Sequence, residues 1–427
     1  MHVLVTLWDG GGTVPAEIGV ARRLVARGHS VTVLGDPTIE PDARAVGAAF
    51  RSWTRAPHRK TSAPYDDVFR DWECRTPVGV LRRLCDRMIT GPADAFAADV
   101  REQLAHRPAD AVVASGPLLG ALIGAESAGV PAVALCANVY SRPAPGLPPF
   151  GSGLTPGRGP AGRARDRALN RVAQALWNRG LGDLNAARAR VGLDPLAEVW
   201  EQWDRAARVL VLTSPAFDLP GVLPPNVRYV GPVLDDPAWA APYRPPAGDE
   251  PLVVVGLSSS YMRQADVLRR IAAALESLAV RAVVTTGPAV DPDEIRSTPR
   301  VDVVRSAPHA QLFPIADAVV THAGHGTLLK ALAAGVPSLC LPMGRDQKDN
   351  TVRAARHGAV LRLRPGAPPA AIAAAARRLL DEPSFRENAR RLGARLRADA
   401  AATALVDEID AVAGCALHHP PTRGEPR

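Results

Sequence analysis

Lysine is nearly absent from this chain of 427 residues: Lys60, Lys330 and Lys348 stand alone, so a net charge of +8 rests on arginine. The arginines are interspersed with alanine along helical stretches and form no single basic block. That pattern reads as a solvated basic surface and argues against nucleic acid as a partner, while still suiting a small anionic ligand. No apolar run reaches the ~18–20 residues that a membrane span needs, so no membrane association is expected. The five cysteines, Cys74, Cys85, Cys136, Cys340 and Cys415, are odd in number, scattered, and never spaced Cys-x-x-Cys. Reduced thiols of a cytoplasmic protein are the expectation. Repeats, zinc-ligand spacing and a Ser-His-Asp order are missing too, and His418-His419 is too sparse for a metal site. Neither metal nor bound cofactor is expected.

What is present is an ordinary soluble globular composition, 47% hydrophobic with mean hydropathy −0.02. The length accommodates two cores at roughly 100–200 residues per domain. His2–Trp8 reads as a strand that meets Asp9, which is not a signal-peptide pattern. Asp9-Gly10-Gly11-Gly12-Thr13 is a loop, Val14–Arg27 has helical spacing ended by Gly28, and Ser30–Leu34 is a second strand. Such a βαβ opening predicts a parallel sheet. The loop is not a dinucleotide fingerprint: it lacks the third glycine, and Asp36 is the lone acid near the ribose position.

Asp9 is the one titratable group in that loop. It could serve as a general base, or it could simply bond the glycine N–H groups. His58 and Asp66 are further candidates in the irregular stretch Arg51–Pro92. Trp53, Tyr65, Phe69 and Trp72 in the same stretch read either as an acceptor-pocket wall or as loop aromatics packed on the core. Ala111–Ala114 is a strand followed by Ser115. Asn138–Gly162, rich in proline and glycine, reads as a lid or acceptor loop, and Arg163–Val191 as a helix.

The proline-rich run Val222–Glu250 separates two domains, 1–221 and 251–399. A last helix over 400–413 and a disordered tail, 415–427, complete the chain. In the second domain Leu252–Leu257 leads into Ser258-Ser259-Ser260, a turn that either touches a ligand or caps the following helix. Asp317–Asn350 then reads strand, glycine-rich turn, helix, strand, loop. His322-Ala323-Gly324-His325-Gly326-Thr327 has the chemistry of a diphosphate site. Gly324 and Gly326 let backbone approach a ligand, the helix N-terminus offers N–H groups, and Thr327 and His322 add donors. Asp346 and Gln347, after the next strand, suit sugar hydroxyls. Gly-x-Gly alone would be an ordinary tight turn; the order His-x-Gly-x-Gly-Thr, Gly-Val-Pro, Pro, Asp-Gln is far more specific.

This ordered set resembles the donor signature of inverting nucleotide-sugar glycosyltransferases of the GT-B class, in the bacterial natural-product branch. The resemblance implies an α/β fold of two Rossmann-like domains facing a cleft, with the last helix crossing back to the first domain. It implies that His322, Gly324, Gly326 and Thr327 hold the diphosphate, with Ser258 or Ser259. Asp346 and Gln347 would bind the sugar. His309, in Ser306-Ala307-Pro308-His309, would lie against the nucleobase. The family's catalytic histidine sits in Gly-His-Val-x-Pro; here the matching run is Gly12-Thr13-Val14-Pro15. Gly12 and Thr13 thus stand beside the donor, but a threonine hydroxyl is no general base near neutral pH. Ser115 stands where the family often has the partnering acid.

The expected function is metal-independent, inverting transfer of a hexose from a UDP- or TDP-sugar to a small, largely apolar acceptor, with Asp9 as candidate base. A donor-binding homologue without activity, partnering an active enzyme, is the alternative. A sugar-nucleotide epimerase is a weaker one, because no pair of acid/base carboxylates is evident in the cleft.

Overall fold

The structure is a computed structural model that describes residues 1–237, 240 and 242–418, with backbone only for 415–418. Thirteen strands, among the described residues, form two parallel sheets. The first contains β1 (His2–Thr6), β2 (Ser30–Gly35), β3 (Ala49–Ser52), β4 (Ala111–Ser115), β5 (Ala132–Cys136), β6 (Arg208–Val211) and β7 (Val227–Tyr229), in the order β3-β2-β1-β4-β5-β6-β7. The second contains β8 (Leu252–Gly256), β9 (Arg281–Thr285), β10 (Val301–Val304), β11 (Ala318–Thr321), β12 (Ser338–Cys340) and β13 (Val360–Arg362), in the order β10-β9-β8-β11-β12-β13. Valine-rich runs such as Val3-Leu4-Val5 and Val253-Val254-Val255 are fully buried. Both faces of each sheet are covered by helices, the arrangement that a parallel sheet with helical crossovers requires.

Each sheet reverses its winding once, between β1 and β4 and between β8 and β11. Register pairs Val5 with Val113 at the first reversal and Val320 with Val255 at the second. Crevices at such reversals, outside the strands' C-terminal ends, are where open α/β sheets bind ligands.

Several boundaries differ from the sequence expectation. β7 falls inside the run read as linker, because its partner β6 supplies backbone bonds that proline spacing does not reveal. The stretch Arg51–Pro92 holds a helix, Pro77–Leu84. Thr76 caps it by accepting from the Gly79 N–H at 3.1 Å, with proline at the first turn. The last helix spans Ala404–His418, which puts Cys415–His418 in a helix where no structure was expected. The other nine residues of that tail, 419–427, lie outside the described residues. Leu405, Val406, Ile409 and Val412 of this helix pack in one cluster with Val3, Val5, Val133 and Leu210 of the first sheet. No helix among the described residues is long and apolar enough to cross a membrane.

The domains are joined by buried polar contacts. Arg353 Nε donates to Asp218 at 2.7 Å, and both side chains are buried. The N–H groups of Gly151 and Gly153 donate to Asp349 at 2.5 and 2.6 Å, tying the proline- and glycine-rich loop to the second domain.

Candidate functional site

The glycine-rich turn leaves β11 at the second reversal. The helix it opens runs from His325 to Ala333, and its first internal bond is Leu328 N–H to the Gly324 carbonyl, 3.0 Å. The N–H groups of His325, Gly326 and Thr327 therefore have no partner within the helix. Gly324 carries no side-chain cap. A Cβ on Gly324 would lie 2.5 Å from His322 Nε2, so any side chain there would displace the His322 ring. Ala323 takes φ +68°, and the Thr321 hydroxyl accepts its N–H at 3.2 Å. The side-chain amide of Asn350 donates to the Ala323 carbonyl at 3.1 Å. A strained, over-determined turn at a strand end is a common mark of a functional site.

His322 is buried, and burial, reinforced by the Arg345 cation, lowers its pKa to about 4. The ring is neutral at neutral pH and bonds the Gly256 carbonyl. As placed it shapes the turn; a direct bond to a diphosphate requires its single N–H to leave Gly256. His325, unremarked as a site residue from sequence, is likewise held neutral by burial, with its pKa lowered to about 4. Its Nε2 is buried without a partner.

Ser258 and Ser259 follow β8, next to the turn. They do not cap the next helix, which begins only at Ala265. The Ser258 and Ser260 hydroxyls lie 3.1 Å apart, and Ser260 Oγ accepts from Arg345 at 2.8 Å. His309 opens a short helix and stacks on Phe313, with ring centroids 4.5 Å apart. Its ring edge comes within 3.1 Å of where a Cβ on Gly256 would be. His309 thus shares the β8 end with the serine turn.

Asp346 precedes the helix Gln347–Arg356. It accepts from Asn350 at 2.5 Å and bonds Asn138 of the first domain. Burial raises its pKa, and these hydrogen bonds and Arg345 oppose the rise. Gln347 opens that helix and braces the loop before it. Its buried amide oxygen accepts the Met343 and Gly344 N–H groups at 2.6 and 3.0 Å, so it holds the loop that presents Asp346.

Across the cleft, Gly12 faces this turn: its carbonyl oxygen is 3.8 Å from a Cβ position on Gly326, whereas the Thr13 hydroxyl is buried on its own loop, 2.8 Å from where a Cβ on Gly10 would be. Gly11, with φ +73°, packs where a Cβ would be 3.1 Å from Ser260. Of the two expectations for Asp9, the structure favours the loop anchor. Its carboxylate accepts Gly11 N–H at 3.1 Å, the Thr38 hydroxyl at 2.9 Å and Arg59 at 3.2 Å. His58 bonds the Ala56 carbonyl, and Asp66 accepts from Thr61, each within its own loop.

The aromatics of that loop divide. Trp53 is core, buried, with Nε1 on the Leu7 carbonyl at 3.0 Å. Phe69 lies under Arg345, and Trp72 meets Tyr261 edge-on at 5.3 Å, both contacts running between domains. Sequence reasoning missed Arg59, Arg345 and Asn138. Among the described residues no cluster of three or more His, Cys, Asp or Glu could hold a metal ion.

Residues 193–405 match the family described as UDP-glucoronosyl and UDP-glucosyl transferase. The 4'-demethylrebeccamycin synthase of Lentzea aerocolonigenes is 30% identical over 426 residues, covering 97% of this chain and 99% of the relative. Among solved structures, the glycosyltransferase of kitacinnamycin superposes with a TM-score of 0.72 at 21% identity, covering 98% of this chain and 99% of that one. The glycosyltransferase VinC, in complex with DTDP, gives 0.69 at 21% identity, covering 97% and 100%.

Proposed function

The chain belongs to the nucleotide-sugar glycosyltransferases of the GT-B class, and from that premise we propose that it transfers a hexose from a UDP- or TDP-linked donor to a small, largely apolar natural-product acceptor. One observation carries this reading. The open N–H groups at Gly326 and Thr327 lie at the second sheet's reversal, opposite Gly12 and beside Asp346. Such a helix start binds a diphosphate, and its fixed dipoles stabilise the charge that develops as the diphosphate leaves. The Arg345 guanidinium, bonded to Ser260 next to His322, adds a cation at the same place.

The reaction would be one displacement with inversion: the acceptor attacks the anomeric carbon as the bond to the diphosphate breaks. Asp346 would orient the sugar through its hydroxyls, and His309 would lie against the base. The donor set at hand, N–H groups, hydroxyls and a guanidinium, supports a metal-independent site. The relative named for a rebeccamycin compound and the structure named for kitacinnamycin support a natural-product acceptor. The free thiols Cys74, Cys85, Cys136 and Cys340 support a cytoplasmic setting.

Thr13 and Ser115, where the family has a dyad, favour a second reading, an inactive donor-binding partner. The test is thermal shift with UDP or TDP in EDTA, followed by mass spectrometry of donor and acceptor mixtures. Stabilisation in EDTA and a glycosylated acceptor are expected. Stabilisation only with added Mg²⁺ or Mn²⁺ would sink the metal-free mechanism. Donor binding without turnover would favour the inactive partner, and donor conversion without acceptor would favour the epimerase.

A further inference from the structure

We propose that Asn350 is a positioning residue that fixes the spacing between the diphosphate turn and the Asp346 carboxylate, so that both reach one nucleotide sugar at once. The inference rests on the transferase reading and deepens it, by adding a residue that touches neither half of the ligand. Asn350 is the fourth residue of the helix Gln347–Arg356 and is 0% exposed. Its amide nitrogen donates to the Ala323 carbonyl at 3.1 Å and to Asp346 Oδ2 at 2.5 Å. An amide nitrogen carries two hydrogens, so both are used. Ala323 and Asn350 are 27 residues apart in the chain, and the bond joins the end of β11 to the helix that follows β12.

Burial separates what can meet a ligand from what stands behind it. Gly326, Thr327 and Asp346 are partly exposed, whereas Ala323 and Asn350 are fully buried. The Asn350 N–H also donates to the Asp346 carbonyl at 3.0 Å. Helix geometry thus sets Asn350 against Asp346, and the side-chain bond to Ala323 sets the pair against the turn. Asn138 bonds the same carboxylate from the first domain. That contact depends on how the domains stand, while both Asn350 contacts lie within one domain. In a nucleotide sugar the diphosphate and the hexose are joined covalently at a set distance. The groups that read them must be held at a matching distance, by residues locked in place behind them.

The chemistry selects asparagine. Both partners, a carbonyl and a carboxylate, accept only, so position 350 must donate twice. Aspartate there would add a third acceptor, a serine hydroxyl donates once, and leucine, of similar size, donates nothing. The amide oxygen is buried without a hydrogen-bond partner. Native structures rarely leave a buried acceptor open, and here it accompanies the two bonds that the nitrogen makes. The opposite amide orientation would set the oxygen against both acceptors. Arg345 and Asp349 are the charged neighbours of Asp346 on this stretch. Arg345 is bonded to Asp71, and Asp349 to the N–H groups of Gly151 and Gly153, so neither takes the place of Asn350.

The experiment takes the UDP- or TDP-hexose that most raises the melting temperature of wild type, together with its own free nucleoside diphosphate. Binding of both is measured by calorimetry in wild type, Asn350→Leu, Asn350→Ser, Asp346→Ala and the double variant Asn350→Leu/Asp346→Ala. Asn350→Leu should weaken the nucleotide sugar about ten- to a hundredfold and leave the nucleoside diphosphate nearly unchanged. Asn350→Ser, which keeps one donor, should fall between it and wild type, and it carries the test where the leucine variant does not fold. The double variant should lose no more than Asp346→Ala alone, because a carboxylate out of position is already lost to the sugar. Undiminished sugar-nucleotide binding in the folded Asn350 variants, additive losses in the double variant, or equal losses for both ligands overturns the proposal while leaving the transferase reading standing. A wild type that binds no UDP- or TDP-hexose overturns both.

Discussion

Arg345 and Asp71 belong to different domains, yet guanidinium and carboxylate meet through two parallel bonds of 2.7 and 3.0 Å. Arg345 takes φ +53°, a left-handed conformation that a non-glycine residue adopts only when its surroundings hold it there. Burial works against its charge, and Asp71 restores it. Because Arg345 directly precedes Asp346, the pair couples the first domain's aromatic loop to the loop that carries Asp346. The pair thereby ties the two domains together beside Ser260.

Breaking that pair from one side should cost more than deleting it. Asp71→Asn leaves the guanidinium without a carboxylate, so it should lower the melting temperature more than the double variant Asp71→Ala/Arg345→Ala. A coupling of roughly 0.5–3 kcal/mol is expected in the cycle. Additive losses in thermal melts would make the contact incidental.

Asp346 should discriminate between ligands. Loss of one charged hydrogen bond costs roughly 1.5–3 kcal/mol. Asp346→Ala should therefore weaken sugar-nucleotide binding by about ten- to a hundredfold, measured by calorimetry, and leave the free nucleoside diphosphate nearly unchanged. Equal losses for both would move Asp346 away from the sugar.

Asp9→Asn tests the anchor against the base. Arg59, with 9% of its side chain exposed, would lose its carboxylate, so stability should fall by roughly 1–3 kcal/mol. Transfer should fall only modestly and keep the pH dependence of the wild type. A loss of about 10²–10⁴-fold in a folded, donor-binding variant would return the base role to Asp9.

Stability should also report the buried acids and histidines. Glu17 is raised from 4.5 to about 8, so between those values the folded state keeps a proton that the unfolded state has lost. Stability therefore declines as pH rises through that window. Glu17→Gln should be relatively more stable at pH 8 than at pH 5 when compared with wild type in urea melts. His322 and His325 act oppositely: lowered from 6.5 to about 4, they cost stability as pH falls through that range. His325→Gln should flatten the acid side of the profile.

The βαβ opening was enough to read a parallel sheet, because period and turn chemistry are local properties of a chain; the pair of Rossmann-like domains came from the family resemblance, and the two sheets match it. The strand, glycine-rich turn, helix and following strand over Ala318–Cys340 were legible for the same reason, since their signals all lie within one short stretch. The helix at Pro77 escaped notice although Thr76-Pro77 announced it. What the sequence could not supply is which distant side chains meet. Asp9 read equally as a base or as an anchor of its glycine loop until folding placed Arg59 on it. Glu17, in the first turn of its helix, meets Ser115 only because β4 lies beside β1. Arg345 carried no signal at all, since its partner lies 274 residues earlier in the chain. Strand order and the packing of the two domains decide these pairings, and burial then determines whether each charge is neutralised or matched.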